Sequence, residues 1–265
     1  MVINGNRHRG GAEIGMNIHI ITYAFSHADS LLRTFAAADG PDVTWHLFLH
    51  SEQRDVVAAC ELLDAHSNVI YYPYGTDRGL ARSCNEGILR AQAHHADVVI
   101  QLCDDITARP GDIQRLAEAV LANPKCSHVT GRTYVERGQC WQSGGFDACA
   151  INLRAIEAIG YFDVNFWPVN FEDIDWKRRA MLSGYEPVHL NETSFTHHDC
   201  NPSAGSGEFM EKFYRTRAYY EAKWGADQGD ERWEHPFNDS RFGLTIPREC
   251  IDNPYPDYKR EDIPA

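Results

Sequence analysis

Residues 96–107 read ADVVIQLCDDIT. After Asp97, the residues Val98, Val99, Ile100 and Leu102 form a short β-branched apolar run, the composition of a strand buried on both faces, as in a parallel sheet. The run stops abruptly at Cys103, Asp104 and Asp105. Ligands of open α/β sheets bind beyond the carboxyl ends of the strands. Two adjacent carboxylates there repel each other unless positive charge lies beside them. A hard divalent cation with oxygen ligands meets that need, and Mg2+ in such sites typically also holds substrate phosphates. A polar strand exit with Asp105 opening a turn is the plainer reading of the same residues.

The flanks of this strand set the fold class. Upstream, apolar patterning predicts strands at Asn17–Tyr23, Val43–Leu49 and Asn68–Tyr72. Helices are expected between them at Asp29–Ala38, Arg54–His66 and Arg82–His95. Strands alternating with helices of about 12 residues are the signature of βαβ units and a parallel sheet. Downstream, a helix is expected at Pro110–Leu121, with Pro tolerated in its first turn, then a short strand at Ser127–Val129. The pattern changes at Gly131–Cys149, which is rich in Gly, Gln, Cys and aromatics. That stretch reads as loops or antiparallel strands on the substrate side, with Trp141 either a binding platform or a core residue. A strand at Ala148–Leu153, a helix at Arg154–Ile159, short strands at Val188–Leu190 and Thr193–Thr196 and an aromatic helix at Glu208–Trp224 complete the expectation.

Composition narrows the function. The 265 residues include 43% hydrophobic side chains, enough for a sizeable core, and carry a formal net charge of −13. That balance argues against a nucleic-acid partner, which needs a basic face, and against a polybasic membrane anchor. No apolar run approaches the roughly 18 residues of a transmembrane helix, and residues 1–15 read as a flexible lead without a signal-peptide core. The 8 cysteines are scattered and include no C-x-x-C pair, which points to reduced thiols in a cytoplasmic protein.

Three further groups carry candidate chemistry. Between Tyr72 and Ile88, Gly79 precedes a helix start, Asp77 can cap it, and Arg78 and Arg82 offer cations to a diphosphate or to solvent. Asn85 is a poor helix former that either faces water or bonds to a loop. The stretch 171–185, FEDIDWKRRAMLSGY, predicts a helix with Phe171, Ile174, Met181, Leu182 and Tyr185 inward and Lys177, Arg178 and Arg179 on the other side. Glu172, Asp173 and Asp175 occupy its first turn, where acids gain roughly 0.3–1 kcal/mol each from the helix dipole. Three acids in four positions exceed what capping needs, and an ionised carboxylate there suits a general base. Finally, His197 and His198 end a strand, and a neutral imidazole is a common divalent-metal ligand.

In this order the features resemble the nucleotide-diphospho-sugar glycosyltransferases of GT-A fold, most closely the inverting family 2 with its rhamnosyltransferase-like enzymes. The likeness covers about residues 17–225. Thr22-Tyr23 stands where the family has Thr-Tyr-Asn, with Ala24 replacing the Asn. Asp77–Ile88, DRGLARSCNEGI, is similar to the N-x-G-x-x-x-x-x-N-x-G-I segment, with Asp77 in the first Asn position. Cys103-Asp104-Asp105 stands at the metal-binding D-x-D motif with its first acid missing. Phe171–Asp175 matches the acceptor-side E-D-x-D helix, and GYFD at Gly160–Asp163 and YYEAKWG at Tyr219–Gly225 follow family habit.

The resemblance implies an α/β, Rossmann-like fold with a mostly parallel central sheet flanked by helices and a small antiparallel acceptor-side part. It implies a domain over 16–225 with a nucleotide half to about 130 and an acceptor half after it, followed by a tail over 226–265. It implies inverting transfer from a nucleotide-diphosphate sugar to a carbohydrate or other hydroxyl-bearing acceptor, with Asp173 as catalytic base and Glu172 or Asp175 assisting. Asp105 is then the metal ligand, with His197 or His198, for Mn2+ or Mg2+. Thr22, Tyr23, Asp77, Arg78, Gly79, Arg82, Asn85 and Asp104 fall on the donor side and Trp141 on the acceptor side. Homo-oligomerisation is left open. A sugar nucleotidyltransferase would need a basic, Gly-rich first βα turn, which AFSHADS at Ala24–Ser30 lacks. A non-catalytic carbohydrate- or nucleotide-binding protein is the other alternative, kept open by Cys103.

Overall fold

Four parallel strands form one half of the sheet: β1 (Ile18–Ala24), β2 (Val43–Leu49), β3 (Val69–Tyr72) and β4 (Val98–Leu102). The fold is seen in a computed structural model, which describes residues 15–135, 140–143, 146–198 and 207–234. The other half contains β5 (Ile106–Ala108), β6 (Cys126–Val135), β7 (Cys140–Ser143), β8 (Ala148–Ile151) and β9 (Glu186–His197). Strand order is β3-β2-β1-β4-β8-β6-β9-β5, with β7 on the far end of β6. The antiparallel part is continuous with the parallel part, because β8 runs antiparallel between β4 and β6.

The helices are α1 (Ala28–Ala38), α2 (Arg54–Asp64), α3 (Leu80–Ala93), α4 (Asp112–Ala122), α5 (Leu153–Ile159), α6 (Glu172–Leu182) and α7 (Gly207–Trp224). Successive strand residues point to opposite faces, so Ile18 and Ile20 pack with α1, α2 and α4, while Ile21 and Tyr23 pack with α3, α5 and α6. α3 lies directly on β1 because position 87 has no side chain: a Cβ on Gly87 would lie 2.6 Å from Ile21 Cδ1. A third cluster, Phe166, Phe171, Tyr219, Tyr220 and Trp224, seats α7 against α6.

Most expected elements are present with shifted ends. Three differences matter. The two short strands expected at Val188–Leu190 and Thr193–Thr196 are one 12-residue strand, β9. The short strand expected at Ser127–Val129 is the 10-residue β6, which carries β8 and then β7 along one edge. The inward face of α6 is also wider than expected: Phe171, Ile174, Leu182 and Tyr185 pack into the core clusters, but Met181 is exposed, and Glu172, Asp175, Trp176, Arg179 and Ala180 are buried as well. The early part of the tail folds back, with Arg178 donating to the Trp233 carbonyl (2.7 Å) and pairing with Glu231 (3.4 Å). Residues 235–265 lie outside the described residues.

Under the end of α3 the sheet buries a polar chain. His19 Nδ1 lies 2.8 Å from His46 Nε2, and His46 Nδ1 lies 3.0 Å from the Tyr72 hydroxyl. Burial, then the neighbouring His94, lowers the His19 pKa to about 4. Burial, then His19, His94 and Arg90, lowers that of His46 to about 3. The unfolded chain therefore binds protons that the folded chain refuses between the ordinary histidine pKa of about 6.5 and these values, so stability falls as pH drops through that window. Denaturant midpoints are expected to fall from about pH 7 to about pH 5, and His46→Asn should flatten that dependence; an unchanged slope would contradict it.

Candidate functional site

The chain runs β1, β2, β3 in one direction and then crosses back to place β4 on the other side of β1. This is a topological switch point, and its crevice lies at the carboxyl ends of β1 and β4. Asp104 and Asp105 form the turn that leaves β4 there. Asp104 Oδ2 accepts a hydrogen bond from the Phe25 N–H at 3.0 Å, which ties the exit of β1 to the exit of β4. Burial, then the adjacent Asp105 charge, raises the Asp104 pKa to about 7.

β5 pairs antiparallel with the end of β9, with Ile106 opposite His197. That pairing joins two motifs far apart in sequence: His197 Nε2 lies 2.8 Å from Asp105 Oδ2. Burial acts to lower the His197 pKa, but the hydrogen bond and charge of Asp105, with Asp147 and Asp104 behind, outweigh it and raise it. Nδ1 of His197 is buried with no hydrogen-bond partner. Of the two candidate histidines, His197 is the one whose side chain meets Asp105; the His198 ring turns to Thr107 Oγ1 at 2.6 Å.

On the other side of the crevice, α6 presents its first turn. Asn170 and Phe171 precede it with φ of 79° and 69°. Non-glycine residues in this region cost about 1–3 kcal/mol each and cluster at functional sites. Glu172 and Asp173 line a narrow cleft with Leu80, Ala81, Cys84, Gln101, Phe146 and Phe162. Glu172 is buried with Oε2 unpartnered; burial, then the Asp173 charge, raises its pKa to about 8. Asp173 is partly exposed and pairs with Lys177 at 2.9 Å, whose ammonium lies over the Phe146 ring.

Asp175 does not join Glu172 and Asp173. It is fully buried and accepts from Arg179 Nε and Trp224 Nε1, both at 2.9 Å, with Lys223 Nζ at 2.8 Å. Two residues along a helix is about 200°, so it points to the packing side.

The residues expected on the donor side are placed as follows. Arg78 is buried, bonded to Glu86 at 2.9 Å and stacked 3.7 Å over Tyr74, within a network in which Tyr74 and Arg90 also bond Glu86. Arg82 is buried. Asn85 bonds both the N–H and the carbonyl of Phe162, at 2.9 and 2.8 Å, and so ties α3 to the loop before α6. Thr22 and Tyr23 are buried within the sheet, and the exposed aromatic at the end of β1 is Phe25. Asp77 accepts from Gly79 N at 2.9 Å, while Gly79 itself caps α3. Gly79 has a φ of 81°, and a Cβ there would sit 2.7 Å from the Trp167 ring. Trp141 stands in β7 opposite Tyr134, and its side chain lies outside the described residues.

Sequence reasoning missed Asp147. It sits just before β8, and its carbonyl accepts from the Cys103 N–H at 2.9 Å. Burial raises its pKa; the His197 charge opposes this, and Asp105 and Asp173 add to it. The only sequence signal was an acid at the start of an apolar strand inside a Gly-rich stretch.

Asp105 and His197 offer a carboxylate oxygen and an imidazole nitrogen, a donor set that suits a divalent cation. No group of three or more His, Cys, Asp and Glu side chains among the described residues is drawn up into a closed cage. A cation held by this pair would keep positions for phosphate oxygens and water.

No protein-family model matches the sequence, and no curated protein matches it significantly. Solved structures do resemble the fold. TarS 1–349 of S. aureus superposes with TM-score 0.57 at 11% identity, over 77% of this chain and 64% of that one. The mannosyltransferase PcManGT from Pyrobaculum calidifontis, in complex with GDP-Man and Mn2+, gives 0.55 at 16% identity, over 78% and 62%. GalNAc-T7 with UDP, GalNAc and Mn2+ gives 0.61 at 11% identity, over 80% and 49%. This chain thus spans between about half and two thirds of those chains. The likeness shows an α/β fold of the GT-A type.

Proposed function

We propose that this protein is a glycosyltransferase, moving a sugar from a nucleoside-diphosphate donor to an acceptor hydroxyl with inversion. The observation that carries the proposal is the Asp105–His197 pair at the switch-point crevice, facing a first helical turn that holds Asp173. Among the structural neighbours, PcManGT is named a mannosyltransferase and was solved with GDP-Man and Mn2+, GalNAc-T7 was solved with UDP, GalNAc and Mn2+, and a second structure of TarS 1–349 holds UDP-GlcNAc.

Asp105 and His197 would hold Mn2+ or Mg2+, which supplies charge for the departing diphosphate. Asp104 fixes the exit of β1 against this pair and shapes the donor side. Asp173 takes the proton of the acceptor hydroxyl as it attacks the anomeric carbon on the face opposite the leaving group. Burial, then the Asp173 charge, raises the Glu172 pKa to about 8, which favours its protonated form and leaves Asp173 as the base of the pair. Cys60, Cys84, Cys103, Cys126 and Cys149 are free thiols, which fits a reducing, cytoplasmic setting. Among the described residues no helix is long and apolar enough to cross a membrane.

The test is consumption of a panel of UDP-, GDP-, CDP- and dTDP-sugars with Mn2+, read as released nucleoside diphosphate. One base class should be consumed by the wild type and not by Asp105→Asn. No consumption of any donor, with mono- and disaccharide acceptors present, would favour the non-catalytic binding protein that Cys103 keeps open.

A further inference from the structure

Cys103 occupies a position where a cation site beside Asp105 lacks a carboxylate. The antiparallel pairing of β4 with β8 places Leu102 opposite Ala148. One step further, the Cys103 N–H donates to the Asp147 carbonyl at 2.9 Å, so residue 147 stands opposite residue 103. Side chains facing each other across such a pair have Cβ atoms about 4.5–5.5 Å apart. The Asp147 carboxyl lies within electrostatic reach of His197 and Asp105 on one side and of Asp173 and Lys177 on the other. Across from it, His197 Nδ1 is buried and unpartnered.

We propose that Asp147 is the second carboxylate of the cation site, standing in from the neighbouring strand for the acid that Cys103 does not provide. This rests on the cation site proposed above. Because no three side chains among the described residues form a cage, Asp147 acts on the ion across its water shell, which ions such as Mg2+ retain. It is a positioning residue: its charge favours the cation and orients the water between donor and acceptor sides.

The test is Mn2+ affinity, read from the spin-resonance signal of free Mn2+, with and without UDP and GDP. Asp147→Asn should weaken binding at least about tenfold, the size seen when groups that orient a metal site are removed. Adding Cys103→Asp to that variant should restore most of the loss, which a merely structural role for Asp147 would not predict. Melting curves of each variant check folding, and Asp147→Glu should bind close to wild type if Asp147→Asn fails to fold. Unchanged affinity in Asp147→Asn beside loss in Asp105→Asn overturns this inference and leaves the cation site standing. A loss that Cys103→Asp does not restore also overturns it. No Mn2+ binding by the wild type overturns the cation site itself, and this inference with it.

Discussion

Asp173→Asn is expected to slow sugar transfer by a factor of about 10²–10⁴, the usual cost of removing a general base, while nucleoside-diphosphate binding stays unchanged. Asp173 is the partly exposed carboxylate on the first turn of α6; Glu172 is buried beside it and Asp175 is turned into the core. Asn preserves shape while removing the proton acceptor and the charge that pairs with Lys177. The Lys177 pair is partly exposed, so its loss has little effect on folding. Single-turnover rates with saturating donor measure the chemical step, and the melting shift with nucleoside diphosphate measures binding. Near-normal turnover in Asp173→Asn would remove it from the base role. Equal loss of turnover and of nucleotide binding would make it a donor-site residue instead.

Lys223→Met is expected to be strongly destabilising, more so than changes to the exposed ion pairs of α7. Lys223 is fully buried between Asp163, at 2.6 Å, and Asp175, at 2.8 Å. Asp163 also accepts from the Tyr219 hydroxyl, and Asp175 from Arg179 and Trp224. Removing one member of a buried ionic group leaves uncompensated charge and costs about 3–5 kcal/mol. For a chain of this size that lowers the melting temperature by on the order of 10 °C. The network joins α7 to α6, so loosening it also frees the helix that carries Asp173. Arg217→Ala is the contrast: its partners Glu221 and Asp227 are exposed, and a change within about 1 kcal/mol is expected. A Lys223→Met protein as stable as wild type would show that the ionic group contributes nothing net.

The four parallel strands and their helices were legible in the sequence because β-branched runs and turn residues report burial locally. The two acidic clusters and the paired histidines were legible as well, since each ends or begins an element. Other features were hidden for physical reasons. Hydrophobic periodicity cannot see a buried charge, so α6 read as packing through Phe171, Ile174, Met181, Leu182 and Tyr185, whereas Met181 is exposed and Asp175, Trp176 and Arg179 are buried too. Nothing local shows that Glu86 bonds Arg78, nor that the loop partner of Asn85 is the Phe162 backbone. Antiparallel register is not written in any short stretch. Both the choice of His197 over His198 and the arrival of Asp147 opposite Cys103 therefore emerged only from strand pairing.

The most direct measurement is the melting temperature with UDP, GDP, CDP and dTDP, each with and without Mn2+, on wild type and Asp105→Asn. A ligand that binds only the folded state must raise it. One diphosphate is expected to raise the wild-type value in a Mn2+-dependent way, and Asp105→Asn to abolish that rise. No shift with any nucleotide, or a shift that Asp105→Asn leaves intact, would contradict a cation-assisted nucleotide site at the β1–β4 switch point.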